Sequence, residues 1–120
     1  MKKTIAKLLA ECPGAEPEYF EASDWLDDET KATRKKIIKE YETHYERRLQ
    51  ALIKLLGEPS QTDETHAKAI ARWFPEAIRA ACWNKDEKTL CLALEQQDSE
   101  TPVAVVLRCL TDEEIEELSS

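Results

Sequence analysis

Along residues 28–56 the apolar side chains Ile37/Ile38, Tyr41, Tyr45, Leu49, Leu52/Ile53 and Leu56 recur every three to four positions, the period of a helix with one buried stripe. The spacing predicts a helix from Asp28 to Leu56, closed by Gly57 and then Glu58-Pro59. Continuous, its 29 residues would run about 43 Å, against a diameter of about 35 Å for a globule of this size. Such a helix has to protrude, bend or cross a dimer. Its start carries Lys31, Arg34, Lys35, Lys36 and Lys39 with Ala32 as the only apolar contact, and that end is the one expected to protrude.

Ahead of it, Thr4 to Glu11 sets Ile5, Leu8 and Leu9 at helical spacing and stops at Cys12-Pro13-Gly14, which predicts a short N-terminal helix. Pro17 is expected to start a short turn through Glu18, Tyr19, Phe20 and Glu21. Ser23 or Asp24 then offers a cap before Trp25 and Leu26, and these aromatics are expected to fold back onto the core. After the break at Pro59-Ser60-Gln61, Thr62 caps a predicted helix through His66, Ala69, Ile70 and Trp73 that ends near Phe74-Pro75.

The period then changes from helical to alternating. Ala77 to Asn84, Thr89 to Gln96 and Val103 to Leu110 read as a three-stranded antiparallel meander. With Asp86 and Glu87 at the centre of the first turn, Cys82 faces Cys91 and Trp83 faces Leu90; with Ser99 and Glu100 at the second, Leu92 faces Leu107. One face then gathers Ala81, Trp83, Leu90, Leu92, Leu94, Val103, Val105, Leu107 and Cys109, a surface for the long helix to cover. The other gathers Ala80, Cys82, Cys91, Ala93, Ala104 and Val106 with Glu95 and Arg108, too apolar to face water. Thr111-Asp112-Glu113-Glu114 forms a capping box that starts a short C-terminal helix, a candidate cover for that second face. The fold class expected is therefore α+β, one domain over residues 1–120: N-terminal helices including one long helix, the meander, and a short C-terminal helix.

Composition adds a sign and a compartment. The net charge of −8 is concentrated in residues 61–120, so phosphate backbones and anionic lipid are repelled; neither nucleic acid nor membrane is an expected partner, whereas a basic protein is favoured. No apolar run approaches the roughly 20 residues of a membrane span, and the lysine-interrupted start from Met1 to Ala10 lacks a secretory core, so a cytoplasmic location is expected. Cys12, Cys82, Cys91 and Cys109 show no metal-ligand spacing and are expected to be reduced, small and buried.

Candidate chemistry changes the picture little. His44 has Glu40 and Arg48 one turn away on either side, a spacing for ion pairing; His66, beside Asp63 and Glu64, reads as solvated or cap-associated. Glu42 and Glu46 share a helix face, as chance alone provides among 25 acidic residues. Gly14 and Gly57 belong to no phosphate-binding loop, and the basic cluster from Lys31 to Lys39 with Arg47 and Arg48 is interleaved with glutamates as a solvated face would be. Trp73, Phe74 and Trp83 at the helix-to-sheet junction read as core. No catalytic residue, cofactor or metal site is expected.

The stretch from Cys82 to Leu110, CWNKDEKTLCLALEQQDSETPVAVVLRCL, resembles the strand-turn-strand of small bacterial immunity-type proteins, in which a tryptophan strand precedes a leucine strand ending in an acidic turn and proline. The resemblance covers about a quarter of the chain and implies a protein that neutralises a toxin by binding it. The function expected is thus a non-enzymatic binding protein, immunity-like or a regulatory inhibitor, acting on a basic partner that acidic charge would steer to it. Its contact residues would be Asp86, Glu87, Asp98, Glu100, Asp112, Glu113, Glu116 and Glu117, at the turns and on the last helix. Two alternatives stand beside it: a structural or assembly protein dimerising through the long helix or the small-residue sheet face, and a small enzyme using His44 or His66 with a carboxylate.

Overall fold

Capping and turn chemistry decide where the elements begin. In the computed structural model, which describes residues 1–119, the order is α1 (Lys2–Glu11), β1 (Glu18–Ala22), α2 (Lys31–Leu56), β2 (Gln61–Thr62), α3 (Ala67–Trp73), β3 (Ala77–Lys85), β4 (Lys88–Glu95), β5 (Ala104–Thr111) and α4 (Asp112–Ser119). The five strands form one antiparallel sheet in the order β1-β5-β4-β3-β2. The predicted α+β class stands, and the predicted three-stranded meander is its centre, enlarged by an edge strand on each side.

The meander has the predicted register. Cys82 pairs with Cys91, Trp83 with Leu90 and Leu92 with Leu107. The turn between β3 and β4 holds Asp86 and Glu87 at φ 51° and 63°, the left-handed pair that a two-residue hairpin requires. Glycine or asparagine adopts that conformation at least cost, whereas Glu87 carries a Cβ into it.

Residues 18–22 correct the expected short turn: they form β1, antiparallel to β5. Five residues containing Tyr19 and Phe20 suit an extended chain better than an isolated helical turn, and β5 supplies the partner. A bulge between Tyr19 and Glu21 places Phe20 and Glu21 both toward α2. There the Arg48 guanidinium lies 4.5 Å from the Phe20 ring centre and donates to Glu21 Oε1 at 2.8 Å. Tyr19, before the bulge, pairs with Val106 and is left half exposed.

The long helix begins three residues later than predicted because Thr30, whose hydroxyl accepts from Thr33 N–H at 3.2 Å, is its cap. At 26 residues it is about 39 Å long and fits within the molecule's 44 Å long dimension, the radius of gyration being 14.3 Å. Its basic start does not stand free: Arg34 donates to Leu26 C=O at 2.9 Å and Asp27 C=O at 3.3 Å, strapping the first turn to the preceding loop. Thr62 closes a turn, accepting from Glu64 and Thr65 N–H, and α3 itself starts only at Ala67.

Helices cover both sheet faces. On one, Ile5 and Leu8 of α1 and Tyr45 and Leu52 of α2 join the nine residues predicted for that face in a single cluster. On the other, Ile70, Trp73 and Phe74 seal Ala80, Cys82, Cys91, Ala93 and Val106. The second cover is thus mainly α3, with α4 lying against it and against β4 and β5. Trp73 Nε1–H donates to Ser119 Oγ at 2.7 Å and Arg72 Nη1 to Ser119 C=O at 3.0 Å, fixing α4 in place. The sheet face proposed for a dimer is therefore buried beneath the chain's own helix. The capping box at the start of α4 is present in both directions, Thr111 N–H to Glu114 Oε1 at 3.1 Å and Glu114 N–H to Thr111 Oγ1 at 3.2 Å.

Beyond the two residues of β2, side chains finish the outer rim of β3. Asp63 N–H donates to Ala80 C=O at 2.9 Å while Asp63 Oδ1 accepts from Ala80 N–H at 2.8 Å; Ser60 N–H donates to Cys82 C=O at 2.7 Å and Ser60 Oγ accepts from Asn84 N–H at 3.2 Å. Asp63 is held by Arg79, whose Nε donates to its other oxygen at 3.0 Å. Burial weighs against the Arg79 charge, but Asp63 outweighs it and the guanidinium pKa is raised.

Candidate functional site

All eight acidic residues expected to contact a partner are exposed, but the sheet divides them. Asp86 and Glu87 sit on the hairpin turn, and the paired strands bring Thr111 opposite Lys88, so that α4 starts beside that turn. Asp112 N–H donates to Glu87 C=O at 3.0 Å and joins the two. Asp86, Glu87, Asp112 and Glu116 consequently line one groove, with Glu113 and Glu117 on the same helix. Asp98 and Glu100 do not belong to this group. They lie on the β4–β5 loop at the far end of β4, whose eight residues span about 26 Å, and Asp98 Oδ1 is occupied in accepting Glu100 N–H at 2.8 Å.

The groove has a volume of about 500 Å³. Its lining carries four carboxylates, Asp86, Glu87, Asp112 and Glu116, against two lysines, Lys85 and Lys88. Asn84 and Thr89 lie on the second sheet face and Lys85 and Lys88 alternate with Trp83 and Leu90 on the α1/α2 side, and all four line the groove at the turn. Lys88 Nζ is held on the α1 side, donating to Leu9 C=O at 2.6 Å. Apolar surface comes from Trp73 of α3 and Ile115 of α4, both half-buried.

Gln61 lines the same groove from β2, and its Oε1 is buried with no hydrogen-bond partner among the described residues. A buried acceptor left in that condition costs about 1–3 kcal/mol. Nearby, Thr89 Oγ1 donates to Asn84 Oδ1 at 3.2 Å, so those two polar side chains satisfy each other. Gln61, Trp73 and Ile115 were not among the residues singled out by charge, and Trp73, expected in the core, borders both the second cluster and the groove.

A second surface feature corrects the expectation that the early aromatics fold inward. Trp25 is 65% and Tyr19 54% exposed. They flank a shallow cavity over β5 in which Arg108 and Glu95 form a bidentate pair at 2.6 and 2.9 Å. Burial again opposes the Arg108 charge, and the Glu95 hydrogen bonds and charge raise its pKa in spite of it. Phe20 and Leu26 do turn inward.

The two histidines are dispersed. His44 on α2 has its Nε2 4.0 Å from Glu40 and its ring edge-on to Tyr41 at 5.1 Å; His66 precedes α3, with its Nδ1 2.9 Å from Thr65 Oγ1. Among the described residues no group of three or more His, Cys, Asp or Glu side chains is placed to hold a metal ion, and no helix is long and apolar enough to cross a membrane. Comparison of the chain with protein-family models, curated proteins and solved structures finds no match.

Proposed function

We propose that this chain is a non-enzymatic binding protein that engages a basic protein partner at the hairpin end of its sheet, in the manner of an immunity-type or regulatory inhibitor. The observation that carries this reading is the Asp112 N–H to Glu87 C=O hydrogen bond, which converts two acidic segments distant in sequence into one acidic groove. Partial helix charge at the α4 start accounts for Asp112 and Glu113 locally. Glu87 has no such local reason, since it occupies left-handed backbone that disfavours a glutamate. A cationic partner supplies one: steering toward the exposed turn raises its association rate.

Binding of a fluorescent hexalysine peptide at low salt tests the reading. Asp86→Lys, Glu87→Lys, Asp112→Lys and Glu116→Lys together are expected to weaken it by at least about ten-fold and to flatten its salt dependence. Asp98→Lys with Glu100→Lys is expected to leave it nearly unchanged. Equal binding by wild type and the hairpin-end variant would sink the proposal.

Glu87→Gly separates stability from binding. Glycine accepts the left-handed turn position freely, so denaturant unfolding is expected to show a gain of about 0.5–1 kcal/mol, while hexalysine binding declines. A loss of stability on this substitution would show that the Glu87 side chain has a structural duty in the turn.

A further inference from the structure

Two thiols lie in contact on the sheet face that α3 covers. Cys82 of β3 and Cys91 of β4 are directly opposed in the register, and their Sγ atoms are 2.9 Å apart, about 0.9 Å beyond the length of an S–S bond. The backbone already suits a bridge. Cys82 C=O accepts Ser60 N–H on the β2 side, and Ala80 and Asn84 likewise turn their polar groups to that outer rim, bonding to Asp63 and Ser60. Toward β4, Cys82 and Cys91 are therefore a non-hydrogen-bonded pair, the kind in which opposed side chains come closest, with Cα atoms about 4.5 Å apart. That separation lies inside the range of about 4.4–6.8 Å that a disulfide spans.

We propose that Cys82 and Cys91 are a modification site: a dithiol that a peroxide closes into a cross-strand disulfide and that a thiol reductant reopens. Ile70, Trp73 and Phe74 seal both sulfurs while α3 is in place, so the first step waits for that cover to lift. α3 is suited to lifting. It has seven residues and no side-chain cap at its start, and its last turn is fastened to α4 by the Arg72 and Trp73 hydrogen bonds to Ser119. Lifted, it leaves β3 and β4 paired over the cluster on the other face. This partly unfolded form is rare, which makes the first step slow but keeps the two sulfurs opposed.

Once wetted, one thiol ionises near its ordinary pKa of about 8.5. Its sulfur attacks a peroxide oxygen, the O–O bond breaks with loss of hydroxide, and a sulfenic acid forms. The opposed thiol then attacks that sulfur; its S–O bond breaks and water leaves as the S–S bond forms. Two thiols and one hydrogen peroxide thus give one disulfide and two waters, the sulfurs losing the two electrons that the peroxide gains. Contact decides the product. The second attack is intramolecular and held in place by strand pairing, so it outruns oxidation to sulfinic acid, which takes a further peroxide. Cys12 and Cys109, the other adjacent pair, belong to the cluster under α1 and α2 and stay covered when α3 lifts.

The experiment treats the native full chain with hydrogen peroxide and maps its peptides without reduction. The expected product is a Cys82–Cys91 bridge, reversed by dithiothreitol, in the wild type and in Cys12→Ala with Cys109→Ala alike. Ser119→Ala, which frees the Trp73 indole, is expected to speed bridging about two- to ten-fold. Leu107→Ala weakens the core on the other face but leaves the α3 cover, and is expected to change the rate by less than about three-fold. Sulfinic acid as the main product at Cys82 or Cys91, or pairing of either with another cysteine, overturns the site. So do thiols that oxidise only as the chain unfolds, read as a Leu107→Ala rate that rises in step with the unfolded fraction. If the Cys12→Ala, Cys109→Ala variant does not fold, the wild-type peptide map decides alone.

Discussion

Alkylation of the four cysteines is expected to run at least about a thousand-fold slower in the native protein than in a denatured control, since a buried thiol reacts chiefly through an unfolded population of about one in a thousand or fewer. Cys12, Cys82, Cys91 and Cys109 are all buried and all free. They fall into two pairs on opposite sides of the sheet: Cys82 Sγ donates to Cys91 Sγ at 2.9 Å beneath α3, and Cys109 interacts with Cys12 on the α1 side. Burial, then the neighbouring sulfur, raises the Cys91 pKa well above that of a free thiol; the same causes push Cys109 up to about 12.

These raised values fix the direction of the alkaline response. A group that prefers its protonated form in the fold contributes full stability below its unfolded pKa, about 8.5 for cysteine, and loses that contribution as pH rises through the folded value. Tyr45, buried and raised for the same reason with Asp63 adding to the effect, extends the loss above about pH 10. Stability measured by denaturant is therefore expected to fall from about pH 8.5 upward. Reaction of one thiol at the denatured rate at pH 8, counted by mass spectrometry, would contradict the burial on which both expectations rest.

Leu107→Ala is expected to destabilise the protein by about 2–5 kcal/mol and to lower its melting temperature by roughly 10–20 °C. Leu107 has no exposed surface, lies on β5 opposite Leu92 of the central strand, and belongs to the cluster under α1 and α2. Helices above and strands on both sides leave little scope for collapse around the lost methyl groups. Leu55→Ala is the control: at 37% exposure it is expected to cost under about 1 kcal/mol. Calorimetry on the two variants checks the difference, and comparable losses would mean that the sheet face is not the main core.

The meander was legible because alternation and a two-residue turn jointly fix register, and a shift of one residue would turn Leu90, Leu92 and Leu94 to the wrong face. The edge strands were not. Two residues, Gln61 and Thr62, have no period to detect, and in β1 the bulge sends Phe20 and Glu21 to the same side, which erases the alternation that marks a strand. Trp25 gave no sequence sign of exposure, because a tryptophan in a loop is compatible with either fate.

The acidic residues were recognisable by charge, but charge alone grouped Asp98 and Glu100 with the others. The register already contained the answer. If Leu92 faces Leu107, then Lys88 faces Thr111, which puts the start of α4 beside the first turn and the second turn at the other end of the sheet. Trp73 lay beyond that logic, since its arrival at the groove depends on how α3 folds back over the second face, and Gln61 reaches it through β2, whose two residues carry no period.

The outer rim of β3 has a consequence for the protein at high concentration. An unfinished strand rim is a template on which another molecule's strand can add, the first step toward fibrillar growth. Here the donors and acceptors from Ala80 to Asn84 are satisfied within the chain by Asp63 and Ser60 as much as by the two-residue β2. Protection of the Ala80 and Asn84 amide donors at that rim is thus delegated to one carboxylate and one hydroxyl, side chains that contribute nothing to the apolar interior and whose loss need not register as a loss of fold.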